Sequence, residues 1–338
     1  MLKSARSMPS LALCVGALLV LLQAASIVGA QADPLPSWND TNAKAAIIAF
    51  VESTTSPSLE TYVTPGDRIA VFDNDGCLWA EQPVYFQFLF AIDMARKKAA
   101  ADPAWASTAA LKAAAAGDIK GVLAGGESAL IEVVSATHSG MTVEDFTAQA
   151  AEWIATAKHP TTGRAYSDMI YQPMLELLSY LRDNDYQTWI VSGGGVDFMR
   201  AFAEPVYGIP PQQVIGSLGK ADFQMVDGKP QVMKDPGIAF IDDKGGKPVG
   251  IERNIGKRPI FVAGNSDGDL AMLQWSTAGE GPRFGMIVHH TDAAREWTYD
   301  RESHIGQLSA ALDQAPAAGW LVVDMAKDWA TIYPEVGK

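Results

Sequence analysis

The run Ile69-Ala70-Val71-Phe72-Asp73-Asn74-Asp75-Gly76 constrains this chain more than any other stretch. An apolar run that stops at two acids and a glycine reads as a buried strand carrying two carboxyl groups at its tip. Residues two apart on a strand share a face, so Asp73 and Asp75 converge on one point if the extended geometry persists. Neighbouring carboxylates repel and need a cation or a proton between them.

The pattern recurs. Residues 187–192 form a second apolar run, ending at Gly193-Gly194-Gly195. Residues 259–263 form a third, ending at Gly264-Asn265-Ser266-Asp267-Gly268-Asp269. Residues 284–289 and 320–324 read as further strands. Helical patterns open near residue 43, behind the possible caps Asp40, Thr41 and Asn42, and at Pro173. Such alternation predicts an α/β fold, a Rossmann-like and mostly parallel sheet with helices on both faces. Ligands then bind beyond the carboxyl ends of the strands. Residues 84–159, an aromatic helix followed by alanine-rich segments with a break at Asp102-Pro103, are too long for an ordinary crossover. They read as a helical cap inserted between the first two motif strands. Thr142-Val143-Glu144-Asp145 opens its last helix, which carries Phe146 and Trp153. The expected hydrolase core is residues 33–83 and 160–338. A small hairpin is expected at residues 221–233, turning at Asp227-Gly228.

Residues 1–32 read as a signal peptide: Lys3 and Arg6, an apolar stretch over residues 11–28, then Ala30-Gln31-Ala32 as a cleavage site. Export to the periplasm or medium is expected, with no membrane attachment after cleavage. The formal charge is −13, and loss of Lys3 and Arg6 makes it −15. A surface this acidic argues against nucleic acid as a partner. Cys14 leaves with the leader, so Cys77 is the single mature thiol and no internal disulfide can form.

The ordered set Asp73-Asn74-Asp75-Gly76, Ser192, a lysine, and Gly264-Asn265-Ser266-Asp267-Gly268-Asp269 resembles the haloacid dehalogenase (HAD) superfamily of phosphohydrolases. The helical insertion is similar to that of its phosphoserine-phosphatase-like branch. The resemblance covers residues 69–288 and implies a mobile cap, Mg2+ and an aspartyl-phosphate intermediate. It makes Asp73 nucleophile and metal ligand. Asp75 becomes the acid and base, and also reaches the metal. Ser192, with Gly193 and Gly194, would bind phosphate, where glycine lets backbone N–H groups approach and a following helix adds positive potential. The required lysine comes from Lys244, Lys247 or Lys257. Lys247 is preferred because it precedes Pro248 and a helix-like stretch, whereas Lys257 falls at the amino end of the third strand.

Two positions depart from the family pattern. Asn265 stands where an acid is usual. Its amide oxygen can ligate Mg2+ with one negative charge fewer, so weaker binding is expected. Asp269 would hold a metal-bound water or the lysine, and Asp267 is a competing ligand or a helix cap. Cys77 stands where threonine is common and is expected to be buried. Glu81, Gln82, Tyr85, Phe86 and Phe88 follow the first motif and could line the entrance as substrate contacts. An acid there favours an ammonium-bearing substrate, although Tyr85 and Phe88 share a helix face and could pack inward. His289 and His290 point to opposite faces of a strand, so one of them can face the site. His138 is a weaker candidate, and His159, preceding Pro160, reads as a loop residue.

The expected activity is Mg2+-dependent hydrolysis of a small phosphomonoester, phosphoserine-like or a phosphoamine. Rivals are a dehalogenase, a phosphonate hydrolase with a Schiff-base lysine among Lys97, Lys98 and Lys112, and a non-catalytic phosphometabolite-binding protein. Asp75 argues against the dehalogenase, since halide leaves without acid catalysis.

Overall fold

A computed structural model describes residues 32–335, so the expected signal peptide, up to its last residue, lies outside the described residues. Among the described residues one sheet is formed by β1 (Ile69–Phe72), β2 (Met141–Thr142), β3 (Gln187–Gly195), β4 (Val214–Val226), β5 (Lys229–Phe240), β6 (Phe261–Gly264), β7 (Phe284–His289) and β8 (Leu321–Asp324). Its order is β2-β5-β4-β3-β1-β6-β7-β8. The β4-β3-β1-β6-β7-β8 portion is parallel. β5 and β2 join antiparallel at one edge. β1 thus lies between the other two motif strands, β3 and β6.

Side-chain alternation along β1 divides the core. Ala70 and Phe72 join one cluster, Ile69 and Val71 the other. The first face is covered by α1 (Asn42–Thr55), through Ile47 and Val51. After β1 the chain builds the expected helical insertion: α2 (Phe86–Ala101), α3 (Ala109–Ala116), α4 (Ile119–Ala124), α5 (Gly126–Thr137) and α6 (Val143–Thr156). Leu177, Leu178 and Leu181 of α7 (Gln172–Asp183), and the short α8 (Val196–Arg200) and α9 (Ala203–Tyr207), complete this face. The second face packs against Ile251 of α10 (Gly246–Ile255), Met272 and Leu273 of α11 (Leu270–Thr277), and Ala311 and Ala315 of α12 (Ala310–Ala318). A final turn, α13 (Met325–Asp328), follows β8. The fold is therefore the expected α/β sheet covered on both faces.

Local chemistry explains the insertion's boundaries. Asp102 accepts from Ala104 N beside Pro103, which ends α2. Thr142 caps α6 by accepting from Asp145 N at 2.9 Å. Phe90, Phe146 and Trp153 of the insertion are continuous with Phe198 after β3.

The hairpin departs from expectation. It spans β4 and β5 rather than residues 221–233, because β4 begins as a core strand beside β3 at Val214 and runs outward without a break. The turn at Asp227-Gly228 is as expected, with both residues at positive φ. Among the described residues no helix is long and apolar enough to cross a membrane.

Candidate active site

The first and third strand tips meet because β1 and β6 are paired, and Asp73 N donates to Ala263 O at 3.0 Å. Lys247, in the first turn of α10, reaches both tips. Its Nζ donates to Asp73 Oδ1 at 2.7 Å and to Asp269 Oδ1 at 2.5 Å, and all three side chains are buried. The other Asp269 oxygen accepts from Asn265 N and Ser266 N at 2.9 and 3.0 Å. A Cβ at Gly264 would overlap the Asp269 carboxylate, so that loop closes only around glycine. Lys257 instead pairs with exposed Asp67 far from this cluster, and Lys244 is exposed.

Burial pushes the Asp73 carboxyl up to about 8; Asp269 and Asp75 add to the rise and Lys247 opposes it. Burial alone would lower Lys247, but Asp269 and Asp73 more than offset this and hold it above its ordinary value. The cluster is therefore a buried cation held between two buried carboxyl groups.

Asp75 is half-buried, and desolvation lifts it to about 6 against the hydrogen bond from Trp79 Nε1 at 2.8 Å. A Cβ at Gly194 would lie 3.6 Å from Asp75 Oδ2, which sets the first and second tips face to face. Ser192 is buried, and its Oγ accepts from Gly194 N at 3.2 Å. Gly193 is exposed. Gly195 N donates to Gln87 Oε1 at 2.7 Å, tying the second tip to α2. The helix after the glycines, α8, is only five residues long.

Asn265 is buried, with Nδ2 donating to Glu81 Oε1 at 2.8 Å. Its Oδ1 is buried and has no hydrogen-bond partner among the described residues. Glu81 Oε1 also accepts from Tyr299 OH at 2.9 Å. Glu81 therefore faces the third tip, not the entrance assigned to it from sequence. The reason is that Asn265, with an N–H to donate, needs an acceptor where an acid would not. Tyr85 is half-buried, and Phe88 is buried in the core with the rest of the α2 face.

Asp267 points elsewhere. Its carboxylate accepts from the backbone N–H groups of Ser309, Ala310 and Ala311, capping α12. Of the two adjacent histidines, His290 turns inward. Its Nε2 donates to Gly76 O at 2.8 Å, its Nδ1 meets Glu296 Oε2 at 3.2 Å, and its ring stacks on Tyr299. His289 faces Asp300. Cys77 is buried, and burial pushes its thiol well up. His138 packs between Phe90 and Phe146, and His159 Nε2 donates to Gln82 O.

Sequence reading passed over Gln87, Tyr299 and Asp242. Asp242 is fully buried beside α10, both carboxylate oxygens lack a hydrogen-bond partner among the described residues, and burial lifts it to about 7. Trp79 had a usable signal, since it lies four residues after Asp75. Tyr299 is remote in sequence and had none.

Two outcomes follow. Lys247→Ala strands two buried carboxylates and should cost about 3 kcal/mol in urea unfolding, whereas Lys257→Ala removes a surface pair and should cost under about 1 kcal/mol. Equal losses would contradict the cluster. The second concerns pH. Unfolded aspartates ionise near about 4, so the folded protein holds extra protons on Asp73 up to its raised value and stability falls as pH rises through that range. His138 and His159, whose values burial lowers, act oppositely, but only below about pH 6.5. Asp242 and Glu81, raised by burial, act with the same sign as Asp73, so between about pH 6.5 and 8.5 the metal-free melting temperature should fall, and Asp73→Asn should lessen that fall. A slope unchanged in the variant would refute the assignment.

A family model for haloacid dehalogenase-like hydrolases matches residues 70–274. No curated protein matches the sequence. Among solved structures the chain is similar to a conserved functionally unknown protein from Anaerococcus prevotii, at 16% identity over 87% of this chain and 94% of that one, with a TM-score of 0.53. It is also similar to a protein with unknown function from Bordetella pertussis, at 16% identity, 76% and 98% coverage and a TM-score of 0.50. A phosphoserine phosphohydrolase-like protein from Francisella tularensis matches at 17% identity, 66% and 87% coverage and a TM-score of 0.35. At these identities the structural likenesses speak to fold alone, whereas the family match spans well over half of the sequence, and on it the chain belongs to the haloacid dehalogenase-like hydrolases.

Proposed function

We propose that this chain is an exported, Mg2+-dependent phosphomonoesterase that works through a phosphoryl group carried on Asp73. The observation that carries the reading is the Lys247 ammonium shared between Asp73 and Asp269, beside Asp75 and the glycine tip of β3. A phosphate ester is an anion, and a carboxylate can attack it only where positive charge is fixed in place. Export rests on the basic, apolar and small-residue pattern of residues 1–32.

Family members generally use Mg2+. Among the described residues no cluster of three His, Cys, Asp or Glu side chains forms a closed metal cage. Mg2+ needs none, since it keeps several waters and takes one or two carboxylates plus phosphate oxygens. The oxygen donors here fit it: the Asp73 carboxylate, the backbone carbonyl of Asp75, and Asn265 Oδ1, which is buried without a partner. When bound, Mg2+ supplies positive charge that offsets the phosphate oxygens and favours ionised Asp73. Asp269, tied to Lys247 and two backbone N–H groups, orients the lysine, and Asp267 is spent on α12.

In the first step an Asp73 oxygen attacks phosphorus, the phosphorus–oxygen ester bond breaks, and Asp75 gives its proton to the departing alkoxide. In the second, water attacks the phosphorus of the acyl phosphate, Asp75 takes the water's proton, and phosphate leaves with Asp73 restored. A carboxyl lifted to about 6 suits both roles. Lys247 holds the charge of Asp73, and Ser192 Oγ with the Gly193 and Gly194 backbone receives the phosphate oxygens.

The substrate is a small phosphomonoester. Glu81 no longer argues for an ammonium group on it, because its carboxylate is engaged by Asn265 and Tyr299. Asp73→Asn should abolish phosphate release from p-nitrophenyl phosphate while thermal unfolding stays cooperative, and EDTA should abolish wild-type release until Mg2+ is restored. Release that survives either treatment refutes the proposal.

A further inference from the structure

We infer that Glu81 is a positioning residue that turns Asn265, so that its amide oxygen rather than its nitrogen is presented as a ligand. The inference rests on the Mg2+ reading above and deepens it. A side-chain amide has a donor end and an acceptor end, and its neighbours decide which way it lies. Glu81 Oε1 receives the Nδ2–H of Asn265 at 2.8 Å, leaving Oδ1 buried and, among the described residues, without a hydrogen-bond partner.

The surroundings of Glu81 are built to hold it there. Tyr299 OH donates to the same oxygen at 2.9 Å. A Cβ at Gly76 or at Gly306 would overlap that oxygen, and both glycines adopt positive φ. The first motif and the loop after residue 299 therefore leave a slot for this one carboxyl group. His290 closes it, bonding Gly76 O and stacking on Tyr299 at 4.3 Å between ring centroids. Asn265 and Glu81 form a matched pair, one amide and one carboxyl. An aspartate at 265 would set carboxyl against carboxyl across the same contact, whereas a glutamine at 81 would then supply the missing donor.

The test measures Mg2+ binding to metal-free protein by isothermal titration calorimetry, and metal-free melting temperature, for wild type, Glu81→Met, Glu81→Gln, Asn265→Asp and Glu81→Gln/Asn265→Asp. Glu81→Met removes the acceptor and should weaken Mg2+ binding about tenfold, the usual scale for partners that orient metal ligands. Glu81→Gln keeps an acceptor oxygen and should lose less. Asn265→Asp should lower the metal-free melting temperature, and adding Glu81→Gln should restore it and bring Mg2+ binding to at least the wild-type level. Glu81→Met binding Mg2+ as wild type does would overturn the inference. So would a double variant that melts no higher than Asn265→Asp alone, a comparison that needs neither metal nor a folded Glu81→Met. Wild-type protein that binds no Mg2+ would bring down the functional reading as well, whereas intact wild-type binding with indifferent variants brings down this inference alone.

Discussion

One buried ammonium holds the site together. Lys247 Nζ lies between carboxylates from two different strand tips, and a cation in that position is what allows Asp73 and Asp269 to be buried so close to each other. Isolated, either carboxylate would be costly to bury or would take up a proton. The sheet topology supplies the geometry. β1 and β6 are adjacent and parallel, so their carboxyl ends coincide, and α10 packs on the face that carries Ile251 toward Val71 and Val262. Folding and chemistry thus depend on the same contact. The arrangement that makes burial tolerable also fixes positive charge beside the Asp73 oxygen proposed to attack phosphorus.

The parts legible in the sequence were those that a strand period and a strand tip encode. Three apolar runs with polar ends marked the three motif strands, and Asp73, Asp75, Ser192 and Asp269 fell where the tips are. Lys247 was distinguishable from Lys257 because Lys257 precedes its strand, whereas Lys247 opens a helix whose start lies at the carboxyl edge. The helical insertion was legible from its aromatic and alanine-rich helical pattern together with its length. The extent of the β4–β5 hairpin was not. Its first residues serve as core strand and the remainder as exposed ribbon, and the strand runs unbroken through the change at Ser217.

What sequence could not show was which way polar side chains turn once several are buried together. Glu81 follows the first motif closely and reads as an entrance residue, but Asn265, nearly two hundred positions away, offers it an amide hydrogen. Sequence favoured Asp269 over Asp267 at the site but left Asp267 as a competing ligand or a helix cap. Asp267 accepts three N–H groups at the start of α12 and Asp269 grips Lys247. Such choices depend on partners remote in the chain, and hydrogen-bond satisfaction in the folded interior settles them. The carboxyl group that receives the Asn265 side-chain amide is Glu81.

Asp73 is the residue proposed to carry the phosphoryl group. The most direct measurement quenches the enzyme in acid during turnover of p-nitrophenyl phosphate with Mg2+, reduces the acyl phosphate with borohydride, and maps the modified residue by peptide mass spectrometry. Reduction should be confined to Asp73. Turnover with that residue unmodified, or with the modification at another residue, would contradict it.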